Sequence, residues 1–171
     1  MIKKLISHPF YVNLGLVLMG VGALGSALTA QYVFGLAPCP LCIYQRWPFV
    51  IIAVLGVLGV VFSLKKQEKK ASFTIFLAAL AFLAGGMIAF YHTGVEQHWW
   101  KSVLEGCTVT FDTAAADLLK QIESTQAARC DVIPWSLFGI SMAGYNAIIS
   151  LLAAPLCAIS ALLVVRRANG L

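Results

Sequence analysis

The run Cys39-Pro40-Leu41-Cys42 is the part of this chain whose residue types and spacing most directly imply chemistry. A C-x-x-C pair closes a small disulfide ring, and its N-terminal thiol often has a lowered pKa, so the pair is suited to redox exchange. The competing chemistry is half of a zinc site. Zinc would need Cys107 and Cys130, or His92 and His98, to complete a tetrahedron. A zinc ribbon offers a second short pair, whereas Cys107 and Cys130 stand 23 residues apart. Spacing favours redox. Arg46 follows Cys42 by four residues, so a helix already begun at Cys42 places the guanidinium one turn below the thiol on the same face. There it favours a thiolate or donates to a polar ligand atom. The structural alternative is an arginine that snorkels to a membrane edge.

That edge follows from composition. Of 171 residues, 60% are apolar or aromatic and only 11% are charged, against about 25% charged in soluble domains. A soluble globule has nowhere to bury so much apolar surface, and the same numbers exclude disorder and a fibrous repeat. The expectation is an all-α integral membrane protein, a single membrane domain over residues 1–171. Four apolar runs reach the roughly 20 residues that a crossing needs, at about 11–30, 47–64, 71–91 and 137–165. None contains Asp, Glu, Lys or Arg. Gly85-Gly86 and Pro155 interrupt them, and Gly15, Gly22, Ser26, Gly56 and Gly59 are candidates for close helix contacts. Lys3 and Lys4 before the first run also fit a signal peptide, but the run is too long for that and no A-x-A site follows.

The net charge of +5 is sorted by position rather than clustered for nucleic acid. Lys3, Lys4, Lys65, Lys66, Lys69, Lys70, Arg166 and Arg167, eight of the twelve basic residues, fall on one side of a four-span chain. The segment 95–133 holds Lys101, Lys120 and Arg129 against six acidic residues. The positive-inside rule then places both termini in the cytoplasm and the loops at about 31–46 and 95–133 outside. Within the long loop, Leu118, Leu119 and Ile122 recur at helical spacing, which fits an amphipathic helix on the membrane surface over 113–128. Trp99, Trp100 and Trp135 suit the interface.

Mapped on this topology, Cys39, Cys42, Cys107 and Cys130 lie two in each external loop. An even external count suits an oxidising compartment. Cys157, inside the fourth run, reads as a buried thiol acting as a small apolar residue. Electrons released by a dithiol at the membrane edge need an acceptor, and a lipid-soluble quinone can diffuse there. Two pairs in two loops can pass a disulfide along by thiolate attack.

The run Pro38-Cys39-Pro40-Leu41-Cys42-Ile43-Tyr44-Gln45-Arg46 resembles the first external loop of the disulfide bond formation protein B (DsbB) family. The four spans, the second cysteine pair and Pro134-Trp135-Ser136-Leu137-Phe138-Gly139 match that family's layout along nearly the whole chain. The resemblance implies a four-transmembrane-helix bundle of the bacterial inner membrane with two periplasmic loops. It implies a thiol oxidase that uses ubiquinone or menaquinone and reoxidises a periplasmic thioredoxin-fold oxidase of the DsbA type. By the same resemblance, Cys107 forms the mixed disulfide with that partner, Cys130 attacks Cys39, and Cys42 faces the quinone beside Arg46. His92 matches a family histidine near the quinone; the structural alternative is a polar cap on a helix end.

Two other classes are weaker. A haem-carrying subunit needs histidines that face each other within spans, but His8 and His98 are outside them and His92 is at an edge. A non-catalytic anchor with structural disulfides explains the even cysteine count but not a C-x-x-C next to Arg46.

Overall fold

The structure is a computed structural model and describes residues 7–104, 107 and 129–170. Helix α1 spans Pro9–Tyr32 and starts on a proline, whose missing N–H is one the first turn cannot satisfy anyway. After a turn through Gly35, a short helix α2 (Pro40–Tyr44) leads into α3 (Arg46–Leu64). Helix α4 spans Glu68–Glu96 and α5 spans Met142–Ala168. Four helical segments, with α2 and α3 forming one of them, are long and apolar enough to cross a membrane. The 24 residues of α1 reach about 36 Å at 1.5 Å each, beyond a hydrocarbon core of about 30 Å.

The helix ends explain how the segments reverse. Lys66 adopts a left-handed φ of 57°, its N–H bonding Ser63 while that of Gln67 bonds Phe62, which closes α3 and leads into α4. His98 does the same after α4, at φ 61°. Both the beginning of α1 and the end of α5 lie by the 65–70 corner: Asn13 donates to the Ala71 carbonyl, and Ala168 lines a surface hollow with Lys66 and Lys70. The cysteine-bearing segments are at the opposite end.

The fourth span begins later than the sequence suggested. Ser136–Leu137 and Ile140–Ser141 pair as a two-stranded hairpin, and α5 starts only at Met142. Phe138 and Gly139 both have positive φ, as a tight two-residue hairpin turn requires. Ser141 then caps α5 by accepting from the Gly144 N–H at 3.0 Å. Tyr145 ties the hairpin down by donating to the Leu137 carbonyl. The segment 113–128 lies outside the described residues.

Packing follows membrane rules. Helix α4 packs on α5 and α3, and α1 lies along α3. Leu16, Ile52, Ile75, Phe82 and Val164 fill the core, and alanines at 78, 79, 153, 154 and 161 let the helices approach. Large apolar residues such as Leu18, Leu152, Leu156 and Leu162 point outward, as they do where lipid is the solvent. Of the small residues expected at contacts, Gly56 and Gly59 are buried against α1, whereas Gly15 and Gly22 face open space. A methyl group at Gly59 would overlap the Asn13 carboxamide. Gly85-Gly86 does not interrupt α4; the two residues admit Pro48 and Leu151. Cys157 is buried and free in this core.

Candidate functional site

Cys39 is the N-cap of α2. Its backbone is extended, and its sulfur accepts the Cys42 N–H at 3.2 Å, the bond that a serine or aspartate makes at other helix starts. Pro40 at the first helical position fixes the turn, so one local motif brings both sulfurs to the same end of α2, 2.7 Å apart as free thiols. Cys39 is buried and Cys42 is half-buried. Its hydrogen bond to Cys42 and then its burial hold the Cys39 thiol above the ordinary range.

The second pair reaches this place from the far loop. Cys107 and Cys130 are joined in a disulfide, both fully buried, and the Cys130 N–H bonds the Cys107 carbonyl. The chain after α4 is pinned on the way. Trp100 stacks on Tyr91 and donates its indole N–H to the Tyr91 carbonyl, while the Tyr91 hydroxyl accepts the Val103 N–H. Leu104 then packs with Cys39, Leu41, Val95, Cys107 and Cys130 in one small apolar cluster. Trp99 and Trp135 are exposed at the same end.

His92, on the last turn of α4, sits where the two pairs meet. Its Nε2 lies 3.5 Å from the Cys39 sulfur, and ligand-type atoms of Cys39, His92 and Cys130 all lie within 4.8 Å of one another. This trio has the composition of a metal site, but Cys130 has no thiolate to offer while it is bonded to Cys107. Arg46 is half-buried and donates through Nη1 to Gln31 Oε1 of α1 at 2.8 Å. Its guanidinium is thereby tied to α1 from the first residue of α3, four residues after the half-buried Cys42.

Five further polar residues join the cluster that the sequence reading did not single out. Gln45 is buried, with its side-chain nitrogen 2.7 Å from His92 Nδ1 and its oxygen accepting from Asn146 at 2.6 Å. Ser150 donates to Asn146 from one turn further along α5. Glu96 is buried beside His92 Nε2, at 3.8 Å, and accepts a short hydrogen bond from Ser141. The i, i+4 spacing of His92 and Glu96 was a readable signal. Gln45 and Asn146, 101 residues apart, left none. Beyond the cluster, Arg129 forms a bidentate ion pair with Asp131 that flanks Cys130 and holds the Asp131 carboxyl below the usual range.

Comparisons with known proteins identify the family of the chain. The family model described as Disulfide bond formation protein DsbB matches residues 10–160. A disulfide bond formation protein B from Aromatoleum aromaticum is 31% identical over 160 residues, covering 92% of each chain. One from Dechloromonas aromatica is 30% identical over 171 residues, covering 96% of each. An uncharacterised protein from Rickettsia prowazekii is 24% identical, covering 82% of this chain and 80% of its own. No solved structure matches.

Proposed function

Since the chain belongs to the disulfide bond formation protein B family, a family of multi-pass membrane proteins with disulfide oxidoreductase activity, we propose that it carries electrons from a periplasmic DsbA-type thioredoxin-fold protein to quinone. The observation that carries this reading is the convergence of two cysteine pairs from separate loops, with the Cys39 and Cys130 sulfurs within 4.8 Å. Thiol–disulfide exchange needs that approach and little else.

The exchange proceeds in balanced steps. A partner thiolate attacks Cys107 and releases Cys130 as a thiolate; the partner's second thiolate then closes its own disulfide and releases Cys107. Cys130 attacks Cys39 of an oxidised Cys39–Cys42 pair and releases Cys42. Cys107 then attacks Cys130, restores the 107–130 disulfide and frees Cys39. One disulfide at 107–130 and one dithiol at 39/42 is the state that this sequence leaves behind, and it is the arrangement described above. Two electrons and two protons must then leave the dithiol for its disulfide to re-form.

Ubiquinone or menaquinone is the acceptor class that takes both electrons and both protons from within the membrane. The residues present suit one. Arg46 offers guanidinium donors for a carbonyl at the start of a spanning helix, Cys42 is half-exposed beside it, and Ile43, Tyr44 and Trp47 present exposed apolar surface. In this reading Arg46 and His92 flank the acceptor, with Cys42 as the sulfur facing it. The charge distribution supports an inner-membrane orientation with both termini cytoplasmic and the cysteine end periplasmic. The test is oxidation of a reduced thioredoxin-fold partner by purified protein in detergent, with quinone supplied. Turnover that needs quinone and all four of these cysteines supports the reading, and turnover indifferent to quinone overturns it.

A further inference from the structure

The ring of His92 lies against the Cys39 sulfur and within 4.8 Å of that of Cys130, and what it can do there depends on which nitrogen carries the proton. Two sides of the ring give the answer separately. At Nδ1, the neighbour is the Gln45 side-chain nitrogen at 2.7 Å, a group that only donates. Gln45 is held in that orientation from behind, because its oxygen accepts from the Asn146 NH2 group, and the Asn146 oxygen accepts from Ser150. At Nε2, the neighbours are acceptors: the Cys39 sulfur at 3.5 Å and a Glu96 carboxyl oxygen at 3.8 Å.

We propose that Gln45, backed by Asn146 and Ser150, is a positioning residue that holds His92 in its Nε2–H form, so that His92 donates a hydrogen bond toward the Cys39 sulfur and cannot act as a base there. A chain of three hydrogen bonds thus runs from α5 through the start of α3 to the point where the cysteine pairs meet. Its consequence for exchange rests on the function proposed above: the N–H stabilises Cys39 as a thiolate when Cys107 displaces it from Cys130. The tautomer itself does not depend on that function.

The experiment is nitrogen NMR of full-length protein labelled at histidine, in detergent, without quinone or partner. Resonances of His8 and His98 are assigned with His8→Gln and His98→Gln. The expected wild-type spectrum shows His92 protonated at Nε2 and bare at Nδ1. Gln45→Glu replaces the donor at Nδ1 with an acceptor, so a proton should appear on Nδ1 and both ring resonances should shift. Asn146→Leu should release Gln45 and give a mixture of the two forms. A packing role for Gln45 would leave the ring spectrum of either folded variant unchanged, and that result overturns the proposal. A wild-type His92 protonated at Nδ1 alone overturns it without any variant. Loss of quinone-dependent turnover with the tautomer as expected would instead count against the proposed function.

Discussion

The two ends of helix α4 each bury a cluster of polar side chains, and they do so to opposite effect. Near its start, Asn13 donates to the Pro9 and Ala71 carbonyls, and Thr74 donates to Asn13 and to Ala71. Each group there is neutral, and the hydrogen bonds end on backbone. Near its finish, Gln45, Asn146 and Ser150 lead to His92, and the hydrogen bonds end on a cysteine sulfur beside a carboxyl group. The first cluster can only hold helices together. In the function proposed above, the second ends on atoms that change their bonding and proton count, and it lies where four cysteines converge. Burial of polar groups is thus no sign of function by itself; what matters is whether the network ends on something reactive.

The cysteines offer the sharpest way to break this contrast, because Cys39 and Cys157 are both buried free thiols at different depths. Cys39→Ser or Cys42→Ser should reduce quinone turnover to background. Cys107→Ser or Cys130→Ser should block oxidation of the partner while leaving Cys39 and Cys42 oxidisable by quinone. Cys157→Ser, in the apolar core, should leave turnover near wild type. Thiol trapping after a quinone pulse checks all five, and a dead Cys157 variant would erase the distinction between core and cysteine end.

A smaller effect is expected at Arg46. Removing a charged hydrogen-bond donor of this kind costs about 1.5–3 kcal/mol, so Arg46→Met should raise the apparent quinone KM roughly tenfold or more. Arg46→Lys should be milder, since it keeps the charge but loses the planar fork. Partner exchange at Cys107 should stay near normal in both. If Arg46 only snorkels, expression or stability falls and turnover per folded molecule does not change; kinetics at several quinone concentrations on matched folded protein decide.

At the other end of α4 the predicted loss is of stability, not activity. Gly59→Ala pushes a methyl group into the Asn13 carboxamide, an overpacking that costs about 1–3 kcal/mol. Thermal unfolding in detergent should shift downward, with quinone turnover of the folded fraction retained. Loss of turnover at full stability would mean that the two clusters are coupled along α4.

The smallest effect belongs to Arg129→Ala. Its ion pair with Asp131 is exposed on the arginine side, and such pairs contribute less than about 1 kcal/mol. Because Arg129 holds the Asp131 carboxyl below its ordinary range, the contribution is present at neutral pH and lost as pH falls through the folded carboxyl's titration. A difference between wild type and variant that grows on acidification would contradict this sign.

What the sequence by itself determined is what one-dimensional chemistry can carry. Four spans were legible because lipid demands about 20 apolar residues in a row wherever the chain crosses. The Cys39–Cys42 pair was legible because its chemistry is local, set by an N-cap and a proline within four residues. The start of α5 was misplaced because Leu137 to Ile140 is as apolar as a span, and only the positive φ values at Phe138 and Gly139 turn it into a hairpin. Helix contacts were half legible, since lipid and core are both apolar and leave no period of 3.6 to mark the buried face. Gly59 meets Asn13 while Gly15 meets nothing, and hydropathy treats them alike. His92 and the i, i+4 spacing to Glu96 were legible, but which distant residues meet that ring was decided by tertiary structure. Gln45, Asn146 and Cys130 come from three distant segments, and hydrogen-bond partners across a bundle are chosen by how the helices pack, which no local pattern records.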